Sequence, residues 1–301
     1  MTSSTSDTGT FTGTLNVAGV TYDVTGTLSV SPAVTPPTPP PSGSYILDED
    51  FTGAAGTLPS SATWTVYNQP GAPDFGSNDE EYYVRNTSII YQDGSAQGNL
   101  IFKLGKQGTA GATASTWPSG RCDTSASYAV QLNQSCEIRA MISPLQGAWP
   151  ACWFAGKNSK YPTTWTEIDM QESGDPNPDA SVVAIWGPGA ASGKRMGGSG
   201  SFPVNDGKYH IYRLDYLSDE IKIYIDGNLF YSLASSAIPS GSGPWLFSSN
   251  GGMYVILNVA VAPGSGYGTP AAGSLPAQIM AVDYVRIWEP AGPDPVAAPA
   301  G

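Results

Sequence analysis

Short runs of alternating apolar and polar residues recur along the chain, separated by Gly, Pro, Asn and Ser. They include NTSIIYQDG, NLIFKL, SYAVQLN, CEIRAMI, ASVVAIWG, KYHIYRLDYL, EIKIYIDGNLFYSL, MYVILNVAVA and IMAVDYVRIWE. Successive side chains of a strand point to opposite faces, so a period of two predicts strands with one buried face. The clearest hairpin is IKIYIDGNLFYSL, where Asp226-Gly227 forms the two-residue turn that right-twisted strands prefer. No stretch carries the apolar period of an amphipathic helix. Many short strands punctuated by turn residues predict an all-β protein, a sandwich or a barrel.

The same alternation in GTFTGTLNVAG and VTYDVTGTLSVSP predicts a small β-hairpin module over residues 1–33, with no role that the residues reveal. A lone hairpin is marginal in water, so this module is expected to pack on something, or to mediate assembly or attachment. Residues 34–44 contain Pro36-Pro37 and Pro39-Pro40-Pro41. Consecutive prolines favour polyproline II, a semi-rigid spacer, and mark a domain boundary. Residues 45–289 form the main body, and PAGPDPVAAPAG, residues 290–301, reads as a disordered tail.

Composition narrows the function classes. With 40% hydrophobic and 11% aromatic residues, the 301-residue chain can bury a sizeable core. The 36 Gly and 26 Pro against only 13% charged residues again disfavour surface helices. A net charge of −12 and no basic patch speak against a nucleic-acid partner. No apolar stretch is long enough for a membrane-spanning helix, so no membrane insertion is expected. MTSSTSDTGTFTG has neither a basic n-region nor an apolar h-region and does not read as a secretory signal. Cys122 and Cys136 flank what reads as a hairpin, across which they would face each other, and Cys152 lies in the apolar run AWPACWFAG. Three reduced, buried thiols are the simpler expectation, and no His or Cys cluster supports a zinc site.

One segment concentrates chemistry. Trp165-Thr166-Glu167-Ile168-Asp169-Met170-Gln171-Glu172 places three carboxylates within six residues of a charge-poor chain. On a strand, Glu167 and Asp169 share a face, whereas Glu172, five positions on, would point the other way. One bulge residue between Asp169 and Glu172 would bring all three to the same face. Three such carboxylates repel one another and raise the pKa of at least one. A retaining glycosidase needs that situation: one ionised nucleophile and one protonated acid, with carboxyl groups about 5–5.5 Å apart. A solvated acidic strand, or a calcium site built from the same acids, would show the same spacing. Trp149 and Trp153 before the acids, Trp165 beside them and Trp186 after them tilt the balance. Indoles grip the apolar faces of sugar rings and also offer an N–H.

Several segments together resemble glycoside hydrolase family 16, the laminarinase, lichenase, agarase and carrageenase group. They are LDEDFTG, SNDEEYYVRNTSIIYQDGSAQGNLIFKL, PSGRCDTSASYAVQLNQSCEIRAMISPLQGAWPACWFAG, TEIDMQE, and the strands KYHIYRLDYLSDEIKIYIDGNLFYS, MYVILNVAV and VDYVRIW. TEIDMQE is similar to the bulged E-x-D-x-x-E signature of the laminarinase and agarase branches. The resemblance covers residues 45–289 and implies a jelly-roll β-sandwich with a substrate cleft on its concave sheet. It implies Glu167 as nucleophile, Glu172 as general acid/base, and Asp169 as a hydrogen-bond partner of the nucleophile. Asn78, Arg121, Trp149, Trp153 and Trp165 fall where the family's cleft residues lie. Arg121 also suits bidentate hydrogen bonds to vicinal hydroxyls, or an ion pair with one of the acids. Asp283 and Asp50 match positions near a structural calcium site, while catalysis itself is expected to need no cofactor. Two departures stand out. Ile185, in Ala184-Ile185-Trp186-Gly187, takes a His position, and Ala262-Pro263-Gly264-Ser265-Gly266-Tyr267 replaces a G-x-W-P. Both are expected in substrate-contacting loops. The lone His210 matches a strand position outside the cleft.

Three functions compete on this evidence. The first is a retaining endo-acting hydrolase of a β-linked polysaccharide, β-1,3-glucan-like or galactan-like, in which a sugar acceptor could replace water. The second is a carbohydrate-binding protein, which has no need to keep both Glu167 and Glu172. The third is an attachment protein, such as a virion tail component, built around residues 1–33. Each would act outside the cell or at a cell surface.

Overall fold

The protein is described by a computed structural model. It covers residues 7–17, 20–30, 45–71, 79–143, 145–161, 163–173, 180–187, 194–203, 206–238, 240, 243–263, 269–270 and 275–289. The proline-rich segment 34–44 and the tail 290–301 lie outside them.

The strands are β1 (Asp7–Val17), β2 (Val20–Val30), β3 (Tyr45–Glu49), β4 (Thr65–Val66), β5 (Gln69–Pro70), β6 (Glu81–Tyr83), β7 (Ile90–Gln92), β8 (Leu100–Phe102), β9 (Trp117–Ser119) and β10 (Arg121–Asp123). They continue with β11 (Gln134–Ile142), β12 (Trp149–Gly156), β13 (Glu167–Ser173), β14 (Ala180–Gly187), β15 (Lys194–Pro203), β16 (His210–Tyr216), β17 (Glu220–Ile225), β18 (Asn228–Ala234), β19 (Met253–Ala260) and β20 (Met280–Trp288). The only helical turns among the described residues are two short 3-10 turns. The expected N-terminal hairpin forms as β1 paired antiparallel with β2, in a sheet of their own. The hairpin at Asp226-Gly227 also forms: Ile225 pairs with Asn228, and both turn residues have positive φ (48° and 81°), as a type I′ turn requires.

Two large antiparallel sheets make the sandwich. One runs β15-β14-β13-β12-β19-β10-β4; the other runs β18-β17-β16-β11-β20-β8-β7, with β3 also on β20. Their facing sides share one core. Cys152, Phe154, Ile168, Met170, Val255 and Leu257 come from the first sheet, and Ile138, Tyr212, Leu214, Ile223, Val285 and Ile287 from the second. All are fully buried, and each apolar side chain of this size contributes about 1.5–3 kcal/mol on leaving water. Alternation then leaves the other side chains of each strand on the outer faces.

Two expectations fail at this level. Cys122 lies on β10 and Cys136 on β11, which belong to opposite sheets, so they are not hairpin partners. All three thiols are free and buried, with the low-polarity core pushing each pKa up. SYAVQLN is not a strand but the loop before β11, tied to the first sheet by the bridge from Val130 to Met253 and to the second by the Asn133 N–H on the Tyr216 carbonyl.

Candidate active site

The outer face of the first sheet is set by β12, β13 and β19. On β12, Pro150, Cys152 and Phe154 alternate with Trp149, Ala151, Trp153 and Ala155. On β13 the register against both neighbours breaks around Met170. Asp169 opposes Trp153 and Ala184, and Glu172 opposes Ala151 and Val182. The extra residue is a β-bulge, and it works as the spacing predicts. Ile168 and Met170 stay in the core, while Glu167, Asp169 and Glu172 align with the outward residues Ala155, Trp153 and Ala151 of β12.

Each acid meets a different indole. Trp165 donates its Nε1–H to Glu167 Oε2 at 3.0 Å, Trp186 to Asp169 Oδ2 at 2.9 Å, and Trp149 to Glu172 Oε1 at 3.0 Å. These are neutral donors. They orient an anion and favour it, but they bring no positive charge. Asp169 faces outward yet is only 3% exposed, so the face is deeply walled at its centre. Burial, and then the negative charge of Glu172, push Glu167 up to about 8; the Trp165 N–H and the Arg121 charge pull the other way. The negative charge of each carboxyl opposes ionisation of the other, so the two titrate as a pair.

Arg121 on β10 is 3% exposed and opposes Asn258 of β19. Its guanidinium lies 5.2 Å from the ring centroids of Tyr67 and Trp153 and 5.9 Å from that of Tyr83. Such an aromatic cage holds the cation by its flat faces. Trp153 is tied to the same group, its Nε1–H donating to Asn258 Oδ1 at 2.6 Å, and Asn258 Nδ2 donates to Tyr83 Oη at 3.1 Å. Tyr83 belongs to the small sheet β5-β6-β9, which lies against this end of the face. A second acid pair sits there. Glu81 is buried and accepts the Val261 N–H at 2.8 Å, and burial plus the charge of Asp79 push it up to about 7.

A profile of glycosyl hydrolases family 16 matches residues 80–259, which include the three acids, Arg121 and all four Trp. The chain belongs to this family. A glucan endo-1,3-β-glucosidase of Niallia circulans is 29% identical over 239 residues, 74% of this chain and 34% of that protein. The chain thus spans about a third of that curated relative's length. Among solved structures, the endo-β-1,3-glucanase of Pyrococcus furiosus superposes with a TM-score of 0.66 at 22% identity, over 91% of this chain and 97% of that one. The pseudo-β-1,3-glucanase of Mycobacterium tuberculosis does so at 0.64 and 23%, over 82% and 99%. At these identities the structures establish the fold, the family 16 jelly-roll sandwich.

This family 16 fold brings together eight of the residues singled out from the sequence: Glu167, Asp169, Glu172, Arg121, Trp149, Trp153, Trp165 and Trp186. Asn78 lies outside the described residues. Asp283, on β20, and Asp50, just after β3, lie away from the acids on the second sheet. Asp283 pairs with Arg139, and Asp50 accepts from Arg286 at 2.8 Å, so each carboxylate already serves a guanidinium. Among the described residues, no group of three or more His, Cys, Asp and Glu is arranged to hold a metal. Ile185 corrects another expectation: it lies within β14, fully buried in the core, and not in a substrate-contacting loop. Of the other departure, residues 264–268 are outside the described set. His210 sits on the second sheet, its two ring nitrogens facing Asp226 at 2.7 Å and Asp206 at 3.2 Å, away from the acids. The sequence reading missed Asn258, Tyr67, Tyr83 and Glu81. Asn258 had left a trace, as the only polar side chain inside the apolar run VILNVAV.

Proposed function

We propose that this chain is a retaining endo-β-glycanase acting on a β-1,3-glucan or a related β-glucan. The observation that carries the reading is the pair Glu167 and Glu172, set on one face by the Met170 bulge, each carboxyl held by its own indole N–H. A glycan-binding protein has no use for a charge-coupled pair of this kind, which opposes its own ionisation.

In the proposed sequence, Glu172 donates its proton to the glycosidic oxygen while a Glu167 carboxylate oxygen attacks the anomeric carbon. The C–O bond to the departing sugar breaks, and an ester to Glu167 forms. Glu172, now an anion, takes a proton from water, whose oxygen attacks the same carbon. Glu167 leaves as carboxylate and Glu172 is reprotonated. The Trp165 N–H and the Arg121 charge favour the Glu167 anion, the state in which it attacks and to which it returns. The Trp149 N–H does the same for Glu172 after it gives up its proton. Asp169, held by Trp186, stands between them on the strand. The β-1,3-glucan assignment draws on the activities named for the Niallia and Pyrococcus relatives. A polymer of this kind implies action outside the cell or at a cell surface.

The test is release of reducing ends from laminarin, mixed-linkage glucan, agarose and carrageenan, with Glu172→Gln beside the wild type. Release from a β-glucan, lost in Glu172→Gln, is the expected result. Tight binding to the glucan without release would return the protein to the carbohydrate-binding class.

A further inference from the structure

Three large hydrophobic side chains among the described residues are exposed: Ile46, Leu229 and Tyr161. Tyr161, at 64%, is the most exposed and the only aromatic. It sits in the loop between β12 and β13. The loop is closed at its base by the Gly156 N–H on the Thr166 carbonyl (3.0 Å) and is tied to the 250–252 turn by Asn158 N–H to Asn250 O and Lys157 N–H to Gly252 O. Ser159 Oγ and Asn250 Nδ2 both reach Thr166 Oγ1, at 2.7 and 2.9 Å. A Cβ at Gly156 would stand 2.2 Å from Ser159 Oγ and from Thr166 Oγ1, so a side chain there would displace both hydroxyls. An exposed aromatic on a loop fixed in this way is pre-organised, so little ordering cost remains for whatever covers it.

Its neighbour shows what that is. The Tyr161 ring meets the Trp165 ring edge-on, with centroids 6.1 Å apart and planes at 78°, and Trp165 holds Glu167. The edge contact leaves a flat face of Tyr161 uncovered. Tyr161 thus adds a solvent-exposed aromatic ring beside Trp165, the indole that holds Glu167. We propose that Tyr161 is a specificity-determining platform on which a further sugar unit of the glycan stacks its apolar C–H face. The proposal rests on the glycanase reading and extends its binding surface by one ring. An endo-acting enzyme gains from such a contact on long chains, because a sugar held away from the reacting bond positions the rest.

The experiment compares wild type, Tyr161→Phe and Tyr161→Ala on laminarin. In parallel, it measures retardation of Glu167→Gln and Glu167→Gln/Tyr161→Ala in gels containing laminarin or mixed-linkage glucan. Tyr161→Ala is expected to raise KM about three- to tenfold, the range of one aromatic contact, with kcat changed less, and Tyr161→Phe to restore the wild-type KM. The double variant is expected to be retarded less than Glu167→Gln. An unchanged KM with unchanged retardation overturns the proposal. So does a loss confined to kcat, which would mean that Tyr161 only positions Trp165. Absence of any retardation of Glu167→Gln overturns it as well. A wild type that releases nothing yet is retarded contradicts the glycanase reading instead, and the gel comparison still decides the role of Tyr161.

Discussion

The outer faces of the two sheets are built on the same plan and carry opposite electrostatics. On the second sheet, the register places Tyr224 opposite Arg213, Arg213 opposite Glu137, Glu137 opposite Arg286, and Arg286 opposite Asp48. Positive and negative side chains alternate across the strands. Arg213 binds Asp215 at 2.7 Å and lies over the rings of Tyr224 and Trp288. Arg286 bridges Asp48 and Asp50, and Arg139 pairs with Asp283. On the first sheet, each of the three acids accepts from an indole N–H, and the one guanidinium described in the site, Arg121, lies in its aromatic cage and acts on Glu167 through its charge. A carboxylate against a guanidinium is held ionised and chemically quiet. A carboxylate against a neutral donor and a second carboxylate keeps a proton near pH 7, where it can be given away and taken back. On the proposed reading one face is arranged for stability and the other for proton transfer, and the difference lies in which partner stands opposite each acid.

That contrast can be broken most severely at the acids. Glu172→Gln removes the proton donor while keeping the shape, and release of reducing ends should fall about a hundred- to ten-thousandfold, with the unfolding transition little changed. The second sheet should respond in reverse. Asp215→Ala leaves Arg213 buried without its carboxylate, which should cost about 3–5 kcal/mol in urea unfolding, while the activity per folded molecule stays at the wild-type level. A loss of activity without loss of stability there would erase the distinction between the faces.

Glu81 sharpens the comparison, because it is a carboxyl of the proton-holding kind outside the proposed catalytic pair. A carboxyl whose pKa is raised in the folded state stabilises the protein fully below its unfolded pKa, about 4.5. That contribution is lost as pH rises through its folded value of about 7. Stability should therefore decline across this window by about 3 kcal/mol. Glu81→Gln accepts the Val261 N–H and offers its NH₂ toward Asp79 at every pH, so unfolding measured from pH 4.5 to 8 should show the decline flattened. A smaller effect is expected at Trp149→Phe. Loss of the N–H disfavours the Glu172 anion and raises the Glu172 pKa, so the alkaline limb of the rate profile should move up by about half a unit to one unit. A downward move would contradict Glu172 as the acid.

Much of this was legible in the sequence where local pattern decides the outcome. The period-two runs, the Asp226-Gly227 turn and the acid spacing with its bulge are short-range signals, and apart from SYAVQLN each appears where it was expected. What escaped was long-range. The cage around Arg121 draws Tyr67, Tyr83, Trp153 and Asn258 from segments far apart in the chain, and only sheet order brings them together. Cys122 and Cys136 are near neighbours in sequence, yet the chain crosses from one sheet to the other between them. KRMGGSGSFP, which forms β15, has too few apolar residues to alternate and pairs through its backbone with β14. The Arg partners of Asp50 and Asp283 were equally hidden, because cross-strand register is not written in either strand alone.

On the proposed reading, Glu167 and Glu172, brought to one face by a single bulged residue, perform a double displacement. The most direct test follows the anomeric proton of the first sugar ends released from laminarin by nuclear magnetic resonance. The account predicts that the β-anomer appears first and mutarotates afterwards, because two inversions at the same carbon restore its configuration. Initial release of the α-anomer would contradict it.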